Sequence, residues 1–243
     1  MFSDREVERY ARHLVLREIG GPGQQKLKAA KALVVGAGGI GAPAALYLAA
    51  AGVGRIGVVD DDAVSLSNLQ RQILYTEADL GRAKTEAAAE RLAALNSDIE
   101  IVPIAHRVTG ANARALVRGW DLVIDGTDSF ETRALVGDAC VAEGVLLIAA
   151  AIGRWDAQIA VLRARPCWRC FVPEPPPGAE TCAAVGVAGA LAGVAGSLAA
   201  LAAIKAITGA GEDPTGEILM LDALTWRVRT VRLDADPECP ACA

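Results

Sequence analysis

The sequence predicts an α/β fold: a doubly wound, mostly parallel sheet. Three observations carry this. Between Lys31 and Ala150, short apolar runs alternate with helical patterns, as strands joined by crossover helices do. The stretch KALVVGAGGIGAPAALYLAAAGVGRIGVVDDD, Lys31 to Asp62, reads strand, glycine turn, helix, strand within about 30 residues, a βαβ unit. The runs DLVID and VLLIAA read as strands buried on both faces.

The elements follow in order. Asp4 to Arg12 is a charged, helical arm, and GGPGQQKL (Gly20–Leu27) is a turn leading into a helix. Lys31–Val35 is a strand, Ile40–Ala51 a helix of small residues, and Arg55–Asp60 the second strand. Asp79–Asn96 is an amphipathic helix of strong helix formers. Then come strand Ile99–Ile104, helix Ala111–Arg118, strand Asp121–Asp125, helix Phe130–Glu143 and strand Val145–Ala150. Beyond Ala151 the alternation fades. Gln158–Leu162 is strand-like, and Cys167–Thr181 is a Pro-rich loop without regular structure. Ile218–Leu221 and Trp226–Leu233 are strands joined by DALT.

A chain of 243 residues with 53% apolar content suits one domain with a sizeable core. The net charge of −5, from 24 basic and 29 acidic residues, argues against a nucleic-acid or anionic-membrane partner. The N-terminus has no apolar block of the secretory kind, so a cytoplasmic location is expected. One segment challenges this: Ala183–Ile204 carries no charge for 22 residues and has small-residue spacing at Gly189 and Gly193, compatible with a membrane span. Its ten Ala and four Gly give a weak transfer energy. They favour a helix tightly packed in a core or dimer interface, with no membrane role.

Gly36, Gly38 and Gly41, with Gly39 among them, form G-x-G-x-x-G between a strand and a helix. Such glycines allow a tight turn and close approach to phosphate at a helix N-terminus. Asp60 ends the next strand, 22 residues after Gly38, where a carboxylate accepts from a ribose hydroxyl. Alone, this reads as well as an NAD-dependent oxidoreductase. The downstream residues do not fit a dehydrogenase. SLSNLQRQ supplies Asn68, Arg71 and Gln72, LGRAKTE supplies Lys84, and DGTDS places Asp125 and Asp128 after the third core strand. Ligands bind along the C-terminal edge of such a sheet. Two cations and an extra carboxylate there suit a triphosphate with Mg²⁺ and a pyrophosphate leaving group. Singly, each has a plain alternative: Arg71 and Lys84 as solvated charges, Asp125 or Asp128 as a helix N-cap.

Cys167 and Cys170 in CWRC, with Cys239 and Cys242 in CPAC, offer four thiolates for a closed, structural Zn²⁺ site. The 68 residues between the pairs mean that the metal would clip the C-terminal tail. Two separate redox pairs are the alternative. Cys182 stands at the start of the Ala/Gly segment, either a nucleophile activated by a helix N-terminus or a small buried hydrophobe, as Cys140 is expected to be. His13 and His106 have no companions.

RYARHLVL, VVGAGGIGAPAALYLAAAGVG, SNLQRQILY, GRAKTEAA, DGTDSFETR, CWRC and CPAC together resemble the ThiF/MoeB/HesA family, bacterial relatives of ubiquitin-activating enzymes. The resemblance runs from Val7 to Cys242. It implies a doubly wound sheet continued by antiparallel strands, a homodimer and a four-cysteine zinc site. It implies Mg-ATP-dependent adenylation of the C-terminal glycine of a ubiquitin-like sulfur carrier protein, with a separate sulfur donor, for thiamine or molybdenum-cofactor synthesis. By resemblance, Gly38 and Gly41 belong to the ATP loop and Asp60 to the ribose. Asn68, Arg71 and Lys84 match phosphate and transition-state residues, and Asp128 the Mg²⁺ and catalytic aspartate. Arg12 matches an arginine reaching the partner subunit's ATP, which accounts for a charged arm with no evident packing role. Cys182 matches a cysteine that links covalently to the carrier in some members. The implied organisation is a single adenylation domain: residues 1–30 an arm, 31–150 a nucleotide core, and 151–243 a carrier-binding, crossover-loop and zinc part. Ser129 departs from the Asn found in many members. A family member activating a different carboxylate, a non-catalytic scaffold and an oxidoreductase are the competing readings.

Overall fold

The computed structural model describes residues 2–174 and 186–243. Eight strands form one sheet in the order β3-β2-β1-β4-β5-β6-β7-β8: β1 Lys31–Val35, β2 Arg55–Val59, β3 Glu100–Ile104, β4 Leu122–Asp125, β5 Leu146–Gly153, β6 Asp156–Leu162, β7 Glu217–Asp222 and β8 Arg227–Arg232. Strands β1 to β5 pair in parallel, and β5 to β8 pair antiparallel. The doubly wound sheet with an antiparallel continuation is therefore present. The strand order reverses at β1, and the crevice beside the C-terminal ends of β1 and β4 is where such folds bind ligands.

Successive residues of the buried strands serve opposite faces, as the pleat requires. Ala32 and Val34 of β1, Ile124 of β4 and Ile148 of β5 join one core; Leu33, Val35, Val123 and Leu147 join the other. The first core is covered by α3 (Gly20–Ala29), α4 (Gly41–Ala51), α5 (Lys84–Leu95) and α9 (Gly189–Thr208). The second is covered by α6 (Ala113–Val117), α7 (Phe130–Glu143) and α8 (Trp168–Phe171).

Four expectations change. The helix expected from Asp79 begins only at Lys84. Gly81 turns the chain at φ +82°, and Asp79 instead caps Thr76 while pairing with Arg82 and Arg91. CWRC is not irregular, since Trp168–Phe171 is one helical turn; the rest of the Pro-rich stretch from 175 onward, and Cys182 with it, lies outside the described residues. The apolar helix starts at Gly189 and runs to Thr208. The arm does pack: α1 (Asp4–Arg9) and α2 (Ala11–Leu14) meet at Tyr10, which is buried against Gly52 and accepts a hydrogen bond from Asn96 (2.9 Å).

The small residues of α9 have a use. α9 packs on α3, α4, β5 and β6, and a Cβ on Gly196 would lie 2.3 Å from the Ile40 carbonyl oxygen. Among the described residues α9 is the one helix long and apolar enough to cross a membrane. Its Ala/Gly face is spent on this contact, with Ala192, Ala195, Ala199 and Ala203 buried.

Candidate active site at the sheet switch point

A cavity of about 320 Å³ opens at the C-terminal ends of β1, β2 and β4. Gly36, Gly38, Gly39, Asp60, Asn68, Arg71, Lys84 and Asp128 all line it. Gly41 lies just behind, where a Cβ would stand 1.8 Å from the Gly36 carbonyl oxygen. Gly36 itself sits at φ +87°, a region side chains avoid. The turn is thus locked by backbone contact at the N-terminus of α4, beside the cavity, and a helix N-terminus is a place that receives anions.

Asp60 supports the turn. One carboxylate oxygen accepts from the Ala37 N–H (2.7 Å) and the other from the Asp62 N–H (2.9 Å). Tyr75 holds the other side of Ala37 by donating to its carbonyl (2.8 Å). Burial raises the Asp60 carboxyl above its ordinary range, opposed by Lys84, whose Nζ is 3.6 Å away, and by these N–H groups. Lys84 is buried at the first residue of α5 and donates to Asp62 (2.8 Å).

Arg71 follows the 3₁₀ turn Leu66–Asn68 and donates to the Ser67 carbonyl (3.0 Å). Among the described residues no carboxylate pairs with it, so its charge is free for an anion. Asp128 is exposed at the rim, and no hydrogen bond or ion pair among the described residues engages its carboxylate. It is not the helix cap: Ser129 is, accepting from the Thr132 N–H (3.3 Å). An asparagine would cap equally well, so Ser129 preserves the local structure. Asp125 is buried and accepts from the Thr127 N–H (2.9 Å) and hydroxyl (2.7 Å), which shapes the turn before Asp128.

Several lining residues have no role assigned from the sequence. Gln72 is 3% exposed and reaches toward Gly38. His106, Arg107 and Val108 follow β3 and form the far wall. The rule that ligands sit beyond strand C-termini was the signal for them. Arg133 and Ile152 also line the cavity. Arg12 does not: it lies exposed on α2.

A second groove, of about 990 Å³, runs over β5 to β8 and meets the first cavity at Asp128, Arg133 and Ile152. Trp168, Met220, Trp226 and Arg229 help to line it.

The four cysteines of the two pairs converge, with Sγ atoms within 4.8 Å of one another. Cys167 and Cys239, and likewise Cys170 and Cys242, are 3.5 Å apart, and Cys167 and Cys170 3.9 Å. Four thiolates at about 2.3 Å around a tetrahedral Zn²⁺ would stand about 3.8 Å apart, so the donor set and spacing fit that metal. Burial pushes the Cys167 thiol up to about 11. Burial also acts on Cys239, but the N–H groups of Ala241 and Cys242, together with the neighbouring Cys167 and Cys242 thiols, outweigh it and hold that thiol at about 7. Cys140 is buried in α7, as expected of a small hydrophobe.

A locked glycine turn, a carboxylate on the next strand, and two cations and a carboxylate on the same edge define a nucleotide-handling α/β enzyme. The chain belongs to the ThiF family, whose pattern it matches over residues 10–241. It is 43% identical to the sulfur carrier protein adenylyltransferase of Thermus thermophilus, over 99% of this chain and 92% of that protein. It is 42% identical to the SAMP-activating enzyme E1 of Haloferax volcanii, over 98% of this chain and 89% of that one. It is 49% identical to the adenylyltransferase and sulfurtransferase MOCS3 of Bos taurus, and spans 54% of that longer protein. The structure of the microcin C7 biosynthetic enzyme MccB with N-formylated MccA superposes with TM-score 0.87 at 25% identity, over 100% of this chain and 77% of that one. The protein is an adenylyltransferase.

Proposed function

We propose that this enzyme uses Mg-ATP to adenylate the C-terminal glycine of a ubiquitin-like sulfur carrier protein ending in Gly-Gly, preparing it for thiocarboxylate formation in molybdenum-cofactor or thiamine synthesis. The observation that carries this reading is the junction of two cavities at Asp128. A compact nucleotide cavity opens there into a long groove over the antiparallel strands. An extended tail in that groove would bring its carboxylate to the α-phosphate. A relative named for sulfur-carrier adenylation, matched over 92% of its length, supports the choice of substrate.

The attacking carboxylate is already ionised, so no general base is needed, and catalysis rests on positioning and charge stabilisation. The glycine turn with Gly36, Gly38, Gly39 and Gly41 cradles the phosphates, and Asp60 accepts from the ribose. Asn68, Arg71 and Lys84 orient the triphosphate and neutralise the charge that moves onto pyrophosphate. Asp128 would hold Mg²⁺, which supplies further neutralisation when bound with ATP. The four cysteines would hold a structural Zn²⁺ between the loop after β6 and the tail. Sulfur comes from a separate donor, and Cys182 is assigned the covalent link with the carrier.

Arg12 is assigned to the ATP of a partner subunit in a homodimer, because it lies outside its own chain's cavity. Mixed dimers of Arg12→Ala with Lys84→Ala chains should regain activity at one of two sites; no recovery would remove Arg12 from a shared site. We read the chain as one adenylation domain, with arm 1–30, nucleotide core 31–150 and carrier-binding part 151–243.

The deciding experiment is ATP–pyrophosphate exchange with carriers ending in Gly-Gly. Exchange only with such a carrier is expected. Exchange with a short peptide carboxylate instead would move the protein toward another substrate class, and nicotinamide binding without exchange would favour an oxidoreductase.

A further inference from the structure

The reading above leaves Arg133 without a task. It is 6% exposed and lies where the nucleotide cavity and the groove meet. One guanidinium nitrogen donates to two backbone carbonyls: that of Thr127, the residue before Asp128, and that of Ala150 in β5 (2.8 Å). The guanidinium also stands over the Trp168 ring, 5.7 Å from its centroid, within the range of a cation–π contact. Trp168 is buried between Cys167 and Cys170.

The contact is built from both sides. Gly137 is one helical turn beyond Arg133 on α7, and a Cβ there would lie 2.6 Å from the Trp168 Cβ. The glycine therefore lets the knuckle helix sit directly on α7. Arg169 clamps the same junction with two hydrogen bonds to Asp138 (3.1 and 2.8 Å). Phe171 meets the Trp168 ring edge-on at 5.6 Å, which fixes the indole. A simple clip for the C-terminal tail would need none of these contacts toward the cavity.

We infer that Arg133 is a positioning residue that ties the four-cysteine knuckle, through Trp168, to the loop carrying Asp128. An ordered knuckle holds the indole, the indole holds the guanidinium, and the guanidinium fixes the Thr127 carbonyl and so the path of the chain into Asp128. Zinc held by the cysteines would then set the order of the Asp128 loop as well as that of the tail. This rests on the proposal that Asp128 works with Mg-ATP.

The test uses the full-length, zinc-loaded protein with Trp168→Leu, Trp168→Phe and Arg133→Lys. Zinc content, amide hydrogen exchange of residues 126–130, and the Mg²⁺ dependence of ATP–pyrophosphate exchange are measured for each. Trp168→Leu should keep its zinc, yet its 126–130 amides should exchange about tenfold faster and half-saturating Mg²⁺ should rise about tenfold, as for directly coupled residues. Trp168→Phe, which keeps an aromatic face, should keep wild-type amide exchange at 126–130 and wild-type half-saturating Mg²⁺. A zinc-loaded Trp168→Leu protein with wild-type amide exchange would overturn the inference, and so would a Trp168→Phe protein as impaired as Trp168→Leu. If Trp168→Leu misfolds or loses zinc, Arg133→Lys decides, since it leaves the knuckle intact: faster exchange at 126–130 supports the link, and unchanged exchange refutes it. An Asp128→Ala control separates the two readings. Full activity in that variant would remove the assigned role of Asp128, whereas loss of activity there beside normal Trp168 variants would remove the inference alone.

Discussion

The parallel and antiparallel halves of the sheet are built on different terms. In the parallel half, β1, β2 and β4 are covered on both faces, and Leu33, Ile56 and Ile124 have no exposed surface. In the antiparallel half, every residue of β8 is exposed, and Trp226 at its start is 87% exposed. The first half is a rigid frame that places charges at its C-terminal edge. The second is an incompletely covered surface, and four converging cysteines lie where the loop after β6 meets the tail. Chemistry that needs fixed groups suits the frame, and recognition of a large partner suits the open surface.

Predictions that break or sharpen this contrast run from the largest effect to the smallest. Lys84→Ala or Asp128→Ala should lower carrier-dependent pyrophosphate exchange by about 100- to 1000-fold, the scale of a lost transition-state contact, with an unchanged circular dichroism spectrum. Near-normal exchange in both would strip the frame of its assigned role. Complete zinc removal should lower Tm by more than about 6 °C, taking about 3 kcal/mol at 2–4 °C per kcal/mol. An unchanged Tm would mean that the antiparallel half needs no fastening.

Trp226→Ala should raise the KM for the carrier about tenfold, as for an exposed aromatic anchor, while calorimetric ATP binding stays the same. A change in ATP affinity instead would show that the halves are not separable. The smallest effect concerns the arm. Lys28 at 2.6 Å, with the Ser3 N–H, holds the Glu6 carboxyl down to about 2 against an ordinary value of 4.5. A folded-state value below the unfolded one stabilises above about pH 4.5 and is lost as pH falls toward 2. Wild type should therefore lose slightly more stability than Lys28→Met in thermal melts between pH 5 and 2. Parallel curves would assign the pair no weight.

Much of the frame was legible because its signals are local. The glycine spacing, the strand that follows and the 14-residue α7 (Phe130–Glu143) came from periodicity and turn chemistry alone. Convergence of Asp60, Arg71, Lys84 and Asp128 was legible because one topological rule puts strand C-termini on one edge. Gln72 was named without a role and Arg133 was given none, since their importance depends on which distant groups they touch. The Asp79–Ala83 segment was misread as helix because Gly81 and the Thr76–Asp79 cap outweigh good helix formers around them. Tyr10 escaped notice for a similar reason: the hole it fills is Gly52, some forty residues away.

The seat of α9 against the glycine turn has a consequence for biosynthesis. Ala192 approaches Gly39, and Gly196 abuts the carbonyl of Ile40, so residues from late in the chain complete the wall behind a turn made early. On a ribosome, the first 150 residues emerge with every assigned phosphate-contacting group but without that backing. The backing of the glycine turn therefore becomes available only once residues 189–208 have been made, well after the turn itself.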